Sequence, residues 1–347
     1  MSYVKRKEIL VVIFCLLIGF SLRFYTFDRK SLWIDEIHTF NDSRDDLRGQ
    51  IKFYKENPSY LHPPLFFILT HQFYPFTKPE RDLRIIPLIF GTLSIPMIYL
   101  LAKQFSPLAA FPGTLCLTFM TYHISLSQDG RSYSTLMFLA MTGLYFFMKH
   151  LKTSKKGCLL LMALSFSALF YTSYSSIPFI VLSQILWFYR PNEKANRPCL
   201  SSCLILNGLV LLFCLPWILF LVLNYRGQAL VHPHESKVFL SFWDILSNIF
   251  NDWAPYAPLT IVSVILLISL FFSAKSRRNA ILLIGVLIIP IGGLYLYCKL
   301  FSVSHFVSSR YFINFLPLFI ISLYLSLNAI EERFERINKF MRFRLLF

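Results

Sequence analysis

Long stretches of this sequence carry almost no charge, and that property restricts the chain to very few folds. About 20 apolar residues cross a hydrocarbon core as a helix. In lipid each backbone N–H and C=O needs a partner, and a helix supplies one within the segment. Ten candidate spans can be read: Ile9–Phe27, Ile85–Leu101, Leu108–Leu126, Ser134–Met148, Cys158–Tyr174, Ile177–Phe188, Leu200–Leu223, Leu259–Phe272, Ile281–Tyr297 and Phe312–Leu327. Apolar residues make up 56% of the chain, against about 45–50% in soluble domains, and the excess lies in these runs. The expected fold is all-α: a single polytopic membrane domain over residues 1–347 with about ten transmembrane helices.

An eleventh run, Pro63–Phe76, opens on two prolines and is interrupted by His71 and Gln72. It is short for a span and reads as an interfacial helix. Charge tests this choice, because cytoplasmic loops are enriched in Lys and Arg. With ten spans and a cytoplasmic N-terminus, 19 of the 34 basic residues fall on cytoplasmic segments. Among them are Lys5-Arg6-Lys7, the Lys149–Lys156 cluster, Lys275–Arg278 and the tail from Glu331 to Phe347. If Pro63–Phe76 crossed, the Lys149–Lys156 and Lys275–Arg278 clusters would both face outward. The net charge of +16 therefore reads as loops beside anionic lipid, and not as a nucleic-acid groove.

Lys5-Arg6-Lys7 before an apolar run resembles a signal peptide. The residues after that run, Ser21-Leu22-Arg23-Phe24-Tyr25, are too bulky for a small-x-small cleavage site. An uncleaved first span is expected. The seven cysteines all sit in or beside apolar runs, with no disulfide framework and no metal-type spacing.

This topology puts a long first loop, residues 28–84, on the extracytoplasmic side, and a second long loop, residues 224–258, on the same side. Within the first loop, Glu36–Glu56 has the charge density of a surface helix, with Ile37, Phe40, Leu47 and Ile51 as inward positions. Within the second, Val238–Phe250 reads as an amphipathic interfacial helix.

Ionisable groups gather on that one side. They are Asp35, Glu36 and His62, then Asp129 and Arg131, then His232, His234 and Glu235, and finally Arg310. Such groups are costly near bilayer depth and tend to pair or to serve a function. A carboxylate able to accept a proton, beside arginines able to hold a phosphate, points to transfer of a group from a lipid phosphate.

Four motifs in order carry a family resemblance: Trp33-Ile34-Asp35-Glu36, His62-Pro63-Pro64-Leu65, Arg84 through Pro96, and Ser127-Gln128-Asp129-Gly130-Arg131-Ser132-Tyr133. Arg310-Tyr311 adds a weaker echo. Together they resemble the dolichyl-phosphate-mannose protein mannosyltransferases and their bacterial relatives, including lipid A aminoarabinose transferases. The resemblance implies a GT-C fold in the inner membrane of a bacterium. It implies sugar transfer, with inversion, from a polyprenyl-phosphate donor to a hydroxyl on an extracytoplasmic glycan, lipid or protein.

Carried over to this chain, Asp35 is the catalytic base and Glu36 supports the acceptor or the site geometry. An aspartate, with a reference pKa of about 3.9, is ionised at neutral pH. Arg131 and Arg310 are the candidate donor-phosphate ligands, with His62, Tyr133 and Asp129 lining the site. No cofactor and no metal is implied. Leu61-His62 departs from the Glu-Lys pair of the aminoarabinose transferases, which argues for a different substrate. Many members also run longer than this chain, and the additional part shapes the acceptor side.

Plainer readings stand beside these. Asp35 and Glu36 suit the first turn of a surface helix. His62 suits a cap on a proline kink, Asp129 and Arg131 a local ion pair, and Arg310-Tyr311 an interfacial anchor. His232, His234 and Glu235 lack the spacing of a metal site. A transporter or flippase of lipid-linked sugars is the alternative function, although such proteins place ionisable groups near the midplane in related halves, and no internal repeat is visible.

Overall fold

The structure, a computed structural model, describes residues 3–58, 62–189, 200–225, 241–271, 277–300 and 308–344. Among these residues all regular elements are helical. The chain opens with α1 (Tyr3–Phe24), followed by four short helices: α2 (Ile34–Asp42), α3 (Leu47–Glu56), α4 (Leu65–His71) and α5 (Pro79–Asp82). Next come α6 (Ile85–Phe105), α7 (Pro107–Phe119), α8 (Thr121–Ser127), α9 (Tyr133–Thr153), α10 (Lys156–Thr172) and α11 (Ile177–Ser183). The remainder comprises α12 (Leu200–Asn224), α13 (Phe242–Trp253), α14 (Ala257–Phe271), α15 (Arg277–Leu300) and α16 (Leu316–Arg344). Three 3-10 segments occupy Tyr174–Ser176, Gln184–Phe188 and Ser309–Phe315.

The core is built around α9, which packs against α6 and α10. Leu136, Met137, Ala140, Met141, Leu144, Phe147 and Met148 recur at helical spacing and are buried. The first turns of α16 join this core through Leu318, Phe319, Ile320 and Ile321. Outer helices show the reverse. Leu10, Phe14 and Leu17 on α1, and Leu204, Leu211 and Val222 on α12, are exposed. A protein in water rarely leaves so continuous an apolar surface open, so these faces meet lipid.

Within the described residues, each of the ten apolar runs is largely helical. Among the described residues, four stretches are long and apolar enough to cross a membrane by length and composition: Pro79–Phe105, Leu200–Asn224, Asn279–Leu296 and Ser309–Glu331. A fifth arises if α13 and α14, bent by 105°, count together. Pro107–Phe119, Lys156–Thr172 and Tyr174–Phe188 are shorter apolar helices.

Two expectations are corrected. Leu108–Leu126 is two helices, because Met120 is extended (φ −67°, ψ 106°) and separates α7 from α8. The carbonyls released at the end of α7 are taken by the fully buried Arg23: Nη2 donates to Leu117 O (2.9 Å) and Nη1 to Thr118 O (3.3 Å). His123 Nδ1 lies 2.8 Å from Arg23 Nη2 and completes the cluster. A cation suits a helix C-terminus.

The second correction is to Glu36–Glu56, which is α2 and α3 separated at Ser43–Asp46, where Asp46 caps α3 by accepting from Gly49 N. Its inward side is polar. Glu36, Thr39, Ser43, Gln50 and Tyr54 are buried, while Ile37 and Leu47 are exposed. Polar partners inside the protein draw that face inward.

Pro63–Phe76, read as too short for a span, holds only the seven-residue α4, about 10 Å long at 1.5 Å per residue. It cannot cross, and it buries Phe66 and Phe67 against Ile86. α13 begins with a capping box between Ser241 and Asp244 and buries Ile245, Ile249, Phe250 and Trp253 along one face. Residues 238–240, His232, His234 and Glu235 lie outside the described residues.

Candidate active site

The first turn of α2 carries both acids, Asp35 and Glu36, with Trp33 as N-cap. Their side chains have opposite fates. Glu36 turns inward and is fully buried, whereas the Asp35 side chain is 33% exposed.

Glu36 is held from three directions. Arg84, at the N-terminus of α6, donates Nε to Oε1 and Nη2 to Oε2, both at 2.6 Å. Gly130 N donates to Oε1 at 2.6 Å, and Trp33 N reaches Oε2 at 3.4 Å. A side chain at position 130 would crowd this contact, since a Cβ there would lie 3.0 Å from Glu36 Oε1 and 3.2 Å from Leu83 Cβ. Arg84 also donates to the carbonyls of Phe27, Lys30 and Ser31. One buried ion pair thus ties together the end of α1, the start of α2, the start of α6 and the turn between α8 and α9.

That turn comes close because Gly91 has no side chain. A Cβ there would lie 2.1 Å from Ser127 Oγ and 2.5 Å from its Cβ. α6 and α8 touch at this point, and the chain then delivers Asp129 and Arg131 to α2. Trp33 Nε1 donates to Asp129 Oδ1 at 2.9 Å. Arg131 Nη1 donates to Asp35 O at 3.1 Å and to Thr39 Oγ1 at 3.0 Å. Burial pushes the Asp129 carboxyl up to about 6, with Glu36 adding to the rise, while Trp33 and the two arginines oppose it.

Arg310 arrives from the 3-10 segment ahead of α16. Its Nη1 lies 3.5 Å from Asp35 Oδ2. Its guanidinium carbon sits 5.1 Å from the Trp33 ring centroid and 5.9 Å from that of Tyr133. Both rings are within cation–π range, so an arginine otherwise free to swing is held beside a carboxylate. The neighbouring Ser309 hydroxyl bonds both Tyr122 OH and Asp252 Oδ2, which links this segment to the end of α13.

His62 stands on the same side, close enough to Arg131 and His38 to feel their charge. Surrounding protein, and secondarily those two groups, press its pKa below the ordinary 6.5. The ring still reaches solvent, and the imidazole is neutral at pH 7.

The structure therefore brings Asp35, Glu36, Asp129, Arg131, Tyr133 and Arg310 into one cluster, with His62 at its margin. It adds Arg84 and Trp33, which sequence reasoning gave no role in the site. Arg84 had two signals, as the cation opening an apolar run and as the first residue of one of the four motifs. Asp252 and Ser309 had none.

Residues 61–220 match the family described as dolichyl-phosphate-mannose-protein mannosyltransferase. That stretch holds Arg84 and the 127–133 turn and covers less than half of the chain. Across the whole fold, the chain is similar to the crystal structure of ArnT from Cupriavidus metallidurans in the apo state, with a TM-score of 0.65 over 94% of this chain at 15% identity. The chain therefore has an ArnT-like fold. It is also similar to the same organism's ArnT bound to undecaprenyl phosphate, with a TM-score of 0.60 over 92% of the chain at 15% identity. The chain spans 60% of the length of these ArnT chains. No curated protein matches it by sequence.

Proposed function

We propose that the chain transfers a sugar from a polyprenyl-phosphate donor to a hydroxyl acceptor, with the site on the extracytoplasmic face of a bacterial inner membrane. The observation that supports it most is the contact between Asp35 and Arg310. An accessible carboxylate and a ring-stacked arginine stand together at one end of the bundle. The ArnT structure that holds undecaprenyl phosphate supports the choice of a polyprenyl phosphate as donor.

In this reading the Asp35 carboxylate accepts the proton of the acceptor hydroxyl as its oxygen attacks the anomeric carbon. The bond from that carbon to the phosphate oxygen breaks on the opposite face, so the configuration inverts. The leaving polyprenyl phosphate gains negative charge, and preorganised cationic donors stabilise such charge most where water is excluded. Arg310 is the donor best placed to move from Asp35 to the phosphate, which frees Asp35 as it does so. Arg131 braces the backbone of Asp35 and offers its remaining N–H groups. Glu36 acts as a positioning residue, because Arg84 and Gly130 already occupy its oxygens.

The test uses membranes containing the chain and a panel of undecaprenyl-phosphate-linked radiolabelled sugars. Label should pass from at least one donor to an endogenous acceptor. If membranes with and without the chain give the same labelling across the panel, the reading fails.

A further inference from the structure

A cavity lies in the 28–84 segment, lined by none of the residues of the Asp35 cluster. It encloses about 270 Å³ between the C-terminal end of α2, α3 and Tyr74. That is just below the roughly 300–1,000 Å³ usual for small-molecule pockets and leaves room for about one sugar ring. We propose that it is a carbohydrate subsite that holds an uncharged sugar residue of the acceptor, a proposal that rests on the transferase reading above.

The lining carries the argument. Asn41, Asp42, Arg44, Asp45 and Gln50 supply planar groups that accept or donate two hydrogen bonds at once, which is what vicinal hydroxyls require. Phe53 and Tyr74 supply exposed aromatic rings, 39% and 48% accessible, and a sugar's C–H face packs on such rings. Two carboxylates against one guanidinium disfavour a phosphate or an anionic headgroup. The density of polar groups disfavours a lipid tail.

Gln50 provides an independent indication. It is 3% exposed, and its Nε2 donates to Asp42 O (3.2 Å) and Asp45 O (3.3 Å). Both partners are carbonyls, so the orientation of the amide is fixed. Oε1 is left without a donor among the described residues. A buried acceptor left unpaired is costly; Gln50 lines the cavity, and a small shift of its amide would let a ligand hydroxyl donate to Oε1.

The cavity is also held in shape. The Tyr74 ring stacks on His71 (5.6 Å, 13°), and His71 Nδ1 lies 3.0 Å from Ser43 O at the end of α2. Asp42 is seven residues from Asp35 on one helix, about 10 Å along its axis. A saccharide anchored by one ring in the cavity would extend an adjacent ring toward the base.

The test is retention of the purified full chain, in nanodiscs, on an array of defined neutral oligosaccharides, with no donor present. The wild-type chain should be retained by at least one glycan. Asp42→Asn and Tyr74→Leu should each lower that retention tenfold or more. Phe53→Leu serves as a third variant should either of these fail to fold, as judged by gel filtration and thermal unfolding. Retention no greater than on sugar-free spots, or retention unchanged in the folded variants, overturns the subsite. Because binding is read without turnover, the two readings fail separately. Sugar transfer without array retention removes the subsite alone, whereas retention without transfer from any donor removes the transferase reading and with it the acceptor role of the cavity, leaving a carbohydrate-binding site.

Discussion

Glu36 and Arg84 meet through two hydrogen bonds of 2.6 Å, with side chains 0% and 3% exposed. Removing one partner of a buried pair leaves the other charge uncompensated, at a cost of about 3–5 kcal/mol. Glu36→Gln and Arg84→Met are therefore each expected to lower the thermal unfolding temperature in detergent by many degrees or to abolish the folded protein. The pair joins four chain segments at the site, so surviving protein should also lose activity. Melting curves close to wild type would show that the pair does not hold these segments together.

Arg310 tests whether shape matters as well as charge. Its flat guanidinium lies between Trp33 and Tyr133, and lysine cannot reproduce that stacking or a bidentate contact with phosphate. Arg310→Lys should fold normally yet lose roughly tenfold or more in kcat/KM, about 1.4 kcal/mol of transition-state stabilisation. Steady-state kinetics with the identified donor would measure this.

Asp129 gives a dependence on pH with a definite sign. Its folded pKa is raised to about 6 from an ordinary 3.8. Between those values the folded state keeps a proton that the unfolded state has released, so stability falls as pH rises. The wild type should therefore lose stability relative to Asp129→Asn from pH 4 to pH 6, by on the order of 1–3 kcal/mol. Below pH 4 and above pH 6 the difference should be flat. Paired melting curves across that range check it.

Much of the fold could be read from apolar periodicity, because a run of uncharged residues near a membrane has few alternatives to helix. Treating Pro63–Phe76 as non-spanning set the alternation that puts residues 33–36, 129–131 and 310 at one end. The bonds of Trp33 to Asp129 and of Asp35 to Arg310 agree with that placement. What could not be read depends on partners distant in sequence. Nothing within Leu108–Leu126 signals the break at Met120, since the arginine that takes the freed carbonyls is Arg23. Likewise the apolar pattern of α2 suggested Ile37 as an inward residue. Glu36 and Thr39 face inward instead because Arg84 and Arg131 await them there.

Asp35 is proposed to take the acceptor's proton, and a single isosteric substitution probes that role. Asp35→Asn keeps the shape of the side chain and removes the base. The variant should fold, insert and still bind undecaprenyl phosphate, while sugar transfer falls by roughly 10²–10⁴-fold. Transfer at close to the wild-type rate by that variant would show that Asp35 is not the base.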